Sequence, residues 1–230
     1  STIAATVSIL ALSFTAACGS GQSTASNSTD SDDITQQTYK PGKLTIATGQ
    51  PAYEPWVMND KPESGEGYEA AVAYAVADKL GFKKSDVVWT RTAFDTAIAP
   101  GTKDWDFNIQ QFGITDERKK AVDFSSSYYN DSQSVVVKKD SKFANATKVS
   151  DLKDATVGVM VGTLAYDYAK ANIKDDIQTF NDDAALAQAL DAGQIDALVT
   201  STVECVYMVQ SEQVKDAKVL GRQIGRASCR

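Results

Sequence analysis

Histidine is absent from this 230-residue chain. That omission removes Ser-His-Asp and Cys-His catalysis and every metal site built on imidazole, so no metal and no cofactor is expected. Cysteine is scarce, limited to Cys18, Cys205 and Cys229, too few for a disulfide framework. Basic charge is outweighed. The net charge is -7, and without clustered Lys and Arg no nucleic-acid partner is expected. No apolar run is long enough to cross a bilayer comfortably. What remains is a chain with 43% hydrophobic residues, enough at this length to bury the core of one or two domains.

Residues 1–18 carry no charge and are small or apolar, like the hydrophobic part of a signal peptide. No Met or basic segment precedes them, so the start is expected to be missing. The stretch ends Thr15-Ala16-Ala17-Cys18-Gly19, which resembles a bacterial lipobox and makes Cys18 the expected lipidation site, tethering the protein to the membrane. A buried cysteine beside an apolar helix is the competing reading. Residues 19–40 are rich in Ser, Thr, Asn, Asp and Gln, the composition of a flexible tether. Residues 224–230 read as a non-native tail.

From Lys43 onward, short alternating runs interleave with helical spacing, which predicts an α/β fold with largely parallel sheets. Strands are predicted at 43–48, 87–90, 107–109, 132–139, 156–161, 177–180, 195–200 and 217–220. Helices are predicted at 67–80, 94–99, 183–192 and 202–210, with one ending at Ala171 and a charged turn at 116–121. Two strand-helix-strand series thus meet near 132–139.

Three stretches carry a family resemblance. The first is Gly67-Tyr68-Glu69-Ala70-Ala71-Val72, running to Lys79-Leu80-Gly81. The second is Phe107 to Arg118 with Gln110-Gln111-Phe112-Gly113-Ile114-Thr115, followed by Ala121 to Ser125 and Tyr128-Tyr129. The third is Asp151-Leu152-Lys153, Val157 to Thr163, and Gly193-Gln194-Ile195-Asp196-Ala197. In this order they resemble the extracellular solute-binding proteins, of the family 3 type, that serve ABC importers of polar amino acids. The resemblance implies a periplasmic-binding-protein-like two-lobed clamshell (type II), with the second lobe inserted in the first. Lobe 1 would span 41–134 and lobe 2 135–220, with 132–139 the first hinge strand and the second expected beyond Leu220. It also implies an extracytoplasmic monomer that hands an amino acid, glutamine-like by preference, to an ABC permease.

The same resemblance assigns the site. Arg118 falls where the family binds the ligand carboxylate, a task that suits the planar two-pronged guanidinium. Gly113 and Thr115 offer backbone N–H groups before it, and Gly162 and Thr163 form the matching turn in lobe 2. Tyr53, Trp56 and Phe94 correspond to aromatic walls. Gln110 and Gln111 supply amides suited to a polar, uncharged side chain. The family's ammonium-binding aspartate falls on Ser201, so another acid is required, with Glu204 and Glu54 the candidates. Asp196 is expected to pack at its strand start. Against solute capture stand a same-fold enzyme, such as a cyclohexadienyl or arogenate dehydratase, and a sensory solute-binding module. Ser150 to Lys153 spells S-x-x-K, a motif that needs its serine at the head of a buried helix, so a hydrolase is not expected.

Overall fold

A computed structural model describes residues 33–220. Cys18 and the segment 224–230 lie outside the described residues. Residues 34–40, read from composition as the end of a tether, instead join the fold. Ile34–Gln36 makes a 3-10 turn, Lys40 bridges to Lys43, and the Tyr39 N–H donates to Asp106 Oδ1 at 2.6 Å. Composition missed this because the bonds are made by backbone.

The first sheet has three parallel strands in the order β2-β1-β3, with β1 at Leu44–Gly49, β2 at Val87–Thr92 and β3 at Phe107–Asn108. Helix α1 (Tyr68–Lys79) presents Ala70, Ala73 and Ala77, spaced to share one face, and the last two pack on Leu44 and Ile46. Its first turn has no side-chain cap. The N–H groups of Tyr68 and Glu69 donate instead to the carbonyls of Pro55 and Trp56, at 3.1 and 2.9 Å, docking the helix on the loop after β1. Arg91 braces that loop from β2, donating to the Gly49 and Asp60 carbonyls at 2.6 Å each and pairing with the Asp60 carboxylate at 2.7 Å. A short helix, α2 (Phe94–Ile98), follows β2.

The second sheet has five strands in the order β6-β5-β7-β4-β8. These are β4 (Gln133–Lys138), β5 (Val157–Met160), β6 (Gln178–Phe180), β7 (Ala197–Ser201) and β8 (Ala217–Leu220). Strands β6, β5 and β7 run parallel, while β4 is antiparallel to both its neighbours. Side-chain alternation sends Val135 and Val137 to one face, with Ala165 and Ala169 of α3 (Leu164–Asn172). Val136 goes to the other, with Leu186 and Leu190 of α4 (Asp183–Asp191) and Cys205 and Met208 of α5 (Thr202–Gln210). This is the two-lobed α/β fold of the clamshell type. No helix among the described residues is long and apolar enough to cross a membrane. Asp196 accepts the Thr156 N–H at 2.8 Å, the structural part expected of it. Ser150 is exposed on the 3-10 turn Val149–Leu152, not at the head of a buried helix.

Candidate ligand cleft

Parallel α/β sheets bind ligands beyond the carboxyl ends of their strands, where the turns into helices leave N–H groups and side chains unspent. Here residues at the carboxyl ends of β1, β3, β5 and β7, and others that follow β2 and β6, line a cavity of about 1030 Å³. Of the residues singled out from sequence, Tyr53, Trp56, Phe94, Gln110, Gln111, Gly113, Arg118, Thr163, Ser201 and Glu204 line it. Thr115 and Gly162 do not. Thr115 Oγ1 accepts the Arg118 N–H at 3.1 Å and so shapes the turn that carries the arginine.

Arg118 begins the 3-10 turn Arg118–Lys120. Its guanidinium donates to the Gly113 carbonyl and, across the cleft, to the Gly162 carbonyl, at 2.9 Å each. The rings of Phe94 and Phe112 stack with centroids 4.1 Å apart, and the guanidinium carbon lies 5.7 and 5.6 Å from them. Two aromatic faces thus hold the cation in place by cation–π attraction. Phe94, read as a wall for ligand, is also a platform for the arginine; Phe112 was missed because its partner sits across a turn.

Trp56 is buried, with its ring edge-on to Tyr68 and Tyr129 at 5.9 and 5.2 Å. It is as much a part of this aromatic cluster as of the cavity wall. The Gln111 amide is not aimed at a ligand. It donates to the buried Glu69 carboxyl, which also accepts the Gln111 N–H at 2.8 Å and the Tyr128 hydroxyl. The case for a glutamine side chain from paired amides therefore rests on Gln110, whose Oε1 accepts from Asn108 at 3.2 Å. Burial pushes the Glu69 carboxyl up to about 7.

In lobe 2, Thr163 Oγ1 accepts the Tyr166 N–H at 3.3 Å and donates to the Met160 carbonyl at 2.8 Å, which leaves backbone for a ligand. Gly162 has φ 74°, the left-handed turn that points its carbonyl at Arg118. Ser201 Oγ is likewise spent as the cap of α5, accepting the Glu204 N–H at 3.1 Å. Glu54 accepts the Asn59 N–H at 2.7 Å and lies outside the cavity lining, so it drops out as an ammonium partner. Glu204 stays: it is buried, lines the cavity, and accepts the Thr200 hydroxyl at 2.6 Å. Asp183 and Asp131 line the cavity too, and burial raises all three carboxyls above the ordinary range. Neither aspartate carried a signal in the sequence, since Asp183 reads as an ordinary helix-start acid and Asp131 as a polar loop residue before β4.

The sequence model of the family described as bacterial extracellular solute-binding proteins, family 3, matches residues 44–199. The chain is 28% identical over 203 residues to the L-arginine-binding protein of Pseudomonas aeruginosa, covering 82% of this chain and 75% of that one. It is 31% identical over 160 residues to the L-cystine-binding protein of Escherichia coli, covering 69% of this chain and 59% of that one. Among solved structures it resembles an ancestral amino acid-binding protein, a precursor of cyclohexadienyl dehydratase. The TM-score is 0.68 and the identity 31%, over 83% of this chain and 80% of that one.

Proposed function

Because the chain belongs to the bacterial extracellular solute-binding proteins, family 3, we propose that residues 34–220 capture a polar amino acid outside the cell and present it to the permease of an ABC importer. The supporting observation is the seat of Arg118. A guanidinium resting beside the stacked Phe94 and Phe112 rings at the cleft wall, bonded to the Gly162 carbonyl of the opposite turn, is placed to receive a carboxylate entering between the lobes. The carboxylate replaces carbonyl oxygens with a charged acceptor, and the bonds are stronger for it. The relatives named for arginine and cystine support an amino acid as cargo; a glutamine-like side chain remains the preference from Gln110.

A thermal-shift screen of the twenty L-amino acids tests this, since a binder stabilises the folded state by mass action. Arg118→Ala is expected to cost about 2–5 kcal/mol of affinity by calorimetry, because it leaves a buried carboxylate without its partner. Unchanged affinity in that variant would refute the assignment. Cys18 is the proposed lipid attachment point; incorporation of an alkyne fatty acid into the wild type but not into Cys18→Ser checks it.

A dehydratase reading draws on Glu69, a cavity carboxyl near neutrality as a general acid requires. Three donor contacts from Gln111 and Tyr128 hold it as a structural acceptor, which favours binding without turnover. Product detected by mass spectrometry after overnight incubation with prephenate or arogenate would reverse that preference.

A further inference from the structure

The sheet order puts β6, β5 and β7 side by side, so the turns that follow them are neighbours. The turn after β5 is Gly162–Thr163; the one after β6 carries Asp182 and Asp183, and the one after β7 carries Ser201 and Glu204. Asp183 is 6% exposed and lies at the cavity wall, yet its Oδ1 has no hydrogen-bond partner among the described residues. The nearby Thr200 hydroxyl has one proton to give, and Glu204 takes it at 2.6 Å. Glu204 is 8% exposed. No Lys or Arg forms an ion pair with either acid among the described residues. From lobe 1, Tyr53 brings a buried hydroxyl, also without a partner, against the backbone of Asp183 and Ala184.

A buried carboxylate with an unused oxygen is costly unless a cation meets it. The acids are not gathered as a metal site would require: no group of three or more ligating side chains exists among the described residues. An organic ammonium suits them better, because its three N–H donors match the acceptors that Asp183, Glu204 and Tyr53 offer.

We infer that Asp183 and Glu204, with the Tyr53 hydroxyl closing over them from the first lobe, form the receptor for the ligand's ammonium group, in place of the acid missing at Ser201. The inference rests on the solute-capture reading above and deepens it. The ligand then spans the cleft, its carboxylate on Arg118 and its ammonium on the turns after β6 and β7. In the sequence Glu204 stands out only by elimination, and Asp183 not at all.

Two like charges this close do not both ionise cheaply, so the empty pair holds a proton that an arriving ammonium displaces. The charged or titratable groups facing the pair are Asp182 on the same turn, Asp131 before β4, Glu69 across the cleft, Tyr53, and Cys205 one residue beyond Glu204. None is a cation, so among the described residues these groups leave the charge of the pair unmet. Affinity therefore rises with pH as the pair loses its proton, and binding releases protons to buffer.

The test uses the full chain and the twenty L-amino acids, then the desamino carboxylic acid of the strongest binder. Asp183→Asn and Glu204→Gln are each expected to weaken the amino acid by about 30-fold or more, while leaving the desamino acid nearly unaffected. Calorimetry in phosphate and in Tris should show proton release for the wild type and less for Asp183→Asn. The amide isostere removes an uncompensated buried acid, so Asp183→Asn without ligand should melt at or above the wild-type temperature, which separates loss of binding from loss of fold. If the wild type binds none of the twenty, the solute-capture reading fails and carries this one with it. If the wild type binds and both variants bind as well as it does, the ammonium receptor alone is overturned.

Discussion

Arg118 does two jobs that a lysine could not share. Its planar fork reaches the Gly113 carbonyl on its own side and the Gly162 carbonyl on the other, while its central carbon lies over the Phe94 and Phe112 rings. An ammonium is a compact point charge without a face to stack. Arg118→Lys is therefore expected to lose most of the affinity that Arg118→Ala loses, within about 1 kcal/mol by calorimetry; near wild-type binding would show that charge alone suffices. Glu69 is the second informative residue. Its folded-state value of about 7 lies above its ordinary 4.5, so between those values the folded protein holds a proton that the unfolded chain has lost. The stability this contributes is full below pH 4.5 and is lost as pH rises to 7. For a fully buried acid the swing is on the order of 3 kcal/mol. Glu69→Gln should flatten the pH profile of denaturant unfolding over that window by a comparable amount, and a variant profile parallel to the wild type would contradict it.

At the scale of elements, the start of α1 is held by backbone alone, and Gly67 makes that possible. Its φ is 102°, and a Cβ there would lie 2.5 Å from the Trp56 carbonyl oxygen and 2.8 Å from the Val57 Cα. Neither neighbour is the end of a flexible side chain, so relief requires the helix to lift off the loop. Gly67→Ala is expected to destabilise by about 2 kcal/mol or more, with loss of ligand affinity because Tyr53 and Trp56 ride on the same loop. Equilibrium unfolding in urea checks the first effect. Most elements were legible in the sequence because each has its own period: the strand predicted at 132–139 forms at Gln133–Lys138, and the helix at 202–210 forms as Thr202–Gln210. Local period says nothing about what lies beside what. The turns after β6 and β7 flank the turn after β5 because the strand order is non-sequential, and nothing local shows this, so Asp183 read as an ordinary helix-start acid. Glu69 looked like a first-turn helix carboxylate, and only packing against Gln111 and Tyr128 buries it. The Arg118 position was legible because its motif is local.

Across the whole of residues 34–220, the two sheets are unequally buttressed. The five-stranded sheet has a core on each face, and α4 seals one with Leu186 and Leu190. On the three-stranded sheet, the fully buried residues that α1 supplies are the small Ala73 and Ala77, with Val72 only partly buried beside them. Burying a leucine contributes about 1.5–3 kcal/mol and an alanine far less, so in this chain the first lobe should open locally at lower free energy than the second. The groups proposed to grip the ligand divide across that difference, with Arg118 and Tyr53 on the weaker lobe and Asp183 and Glu204 on the stronger. A solute bound to both ties the first lobe to the second, and its binding energy then opposes the opening of β1 and α1. Hydrogen exchange should show this directly. Without ligand, amides of β1 and α1 are expected to exchange faster than those of β4 and β7. A saturating amino acid should slow the first group by a larger factor than the second. Because the tie runs through Arg118, Arg118→Ala should keep the fast exchange of β1 and α1 at ligand concentrations that protect the wild type. Protection confined to the second lobe, or equal in the variant, would mean that the solute is held by one side of the cleft and that the lobes close without it.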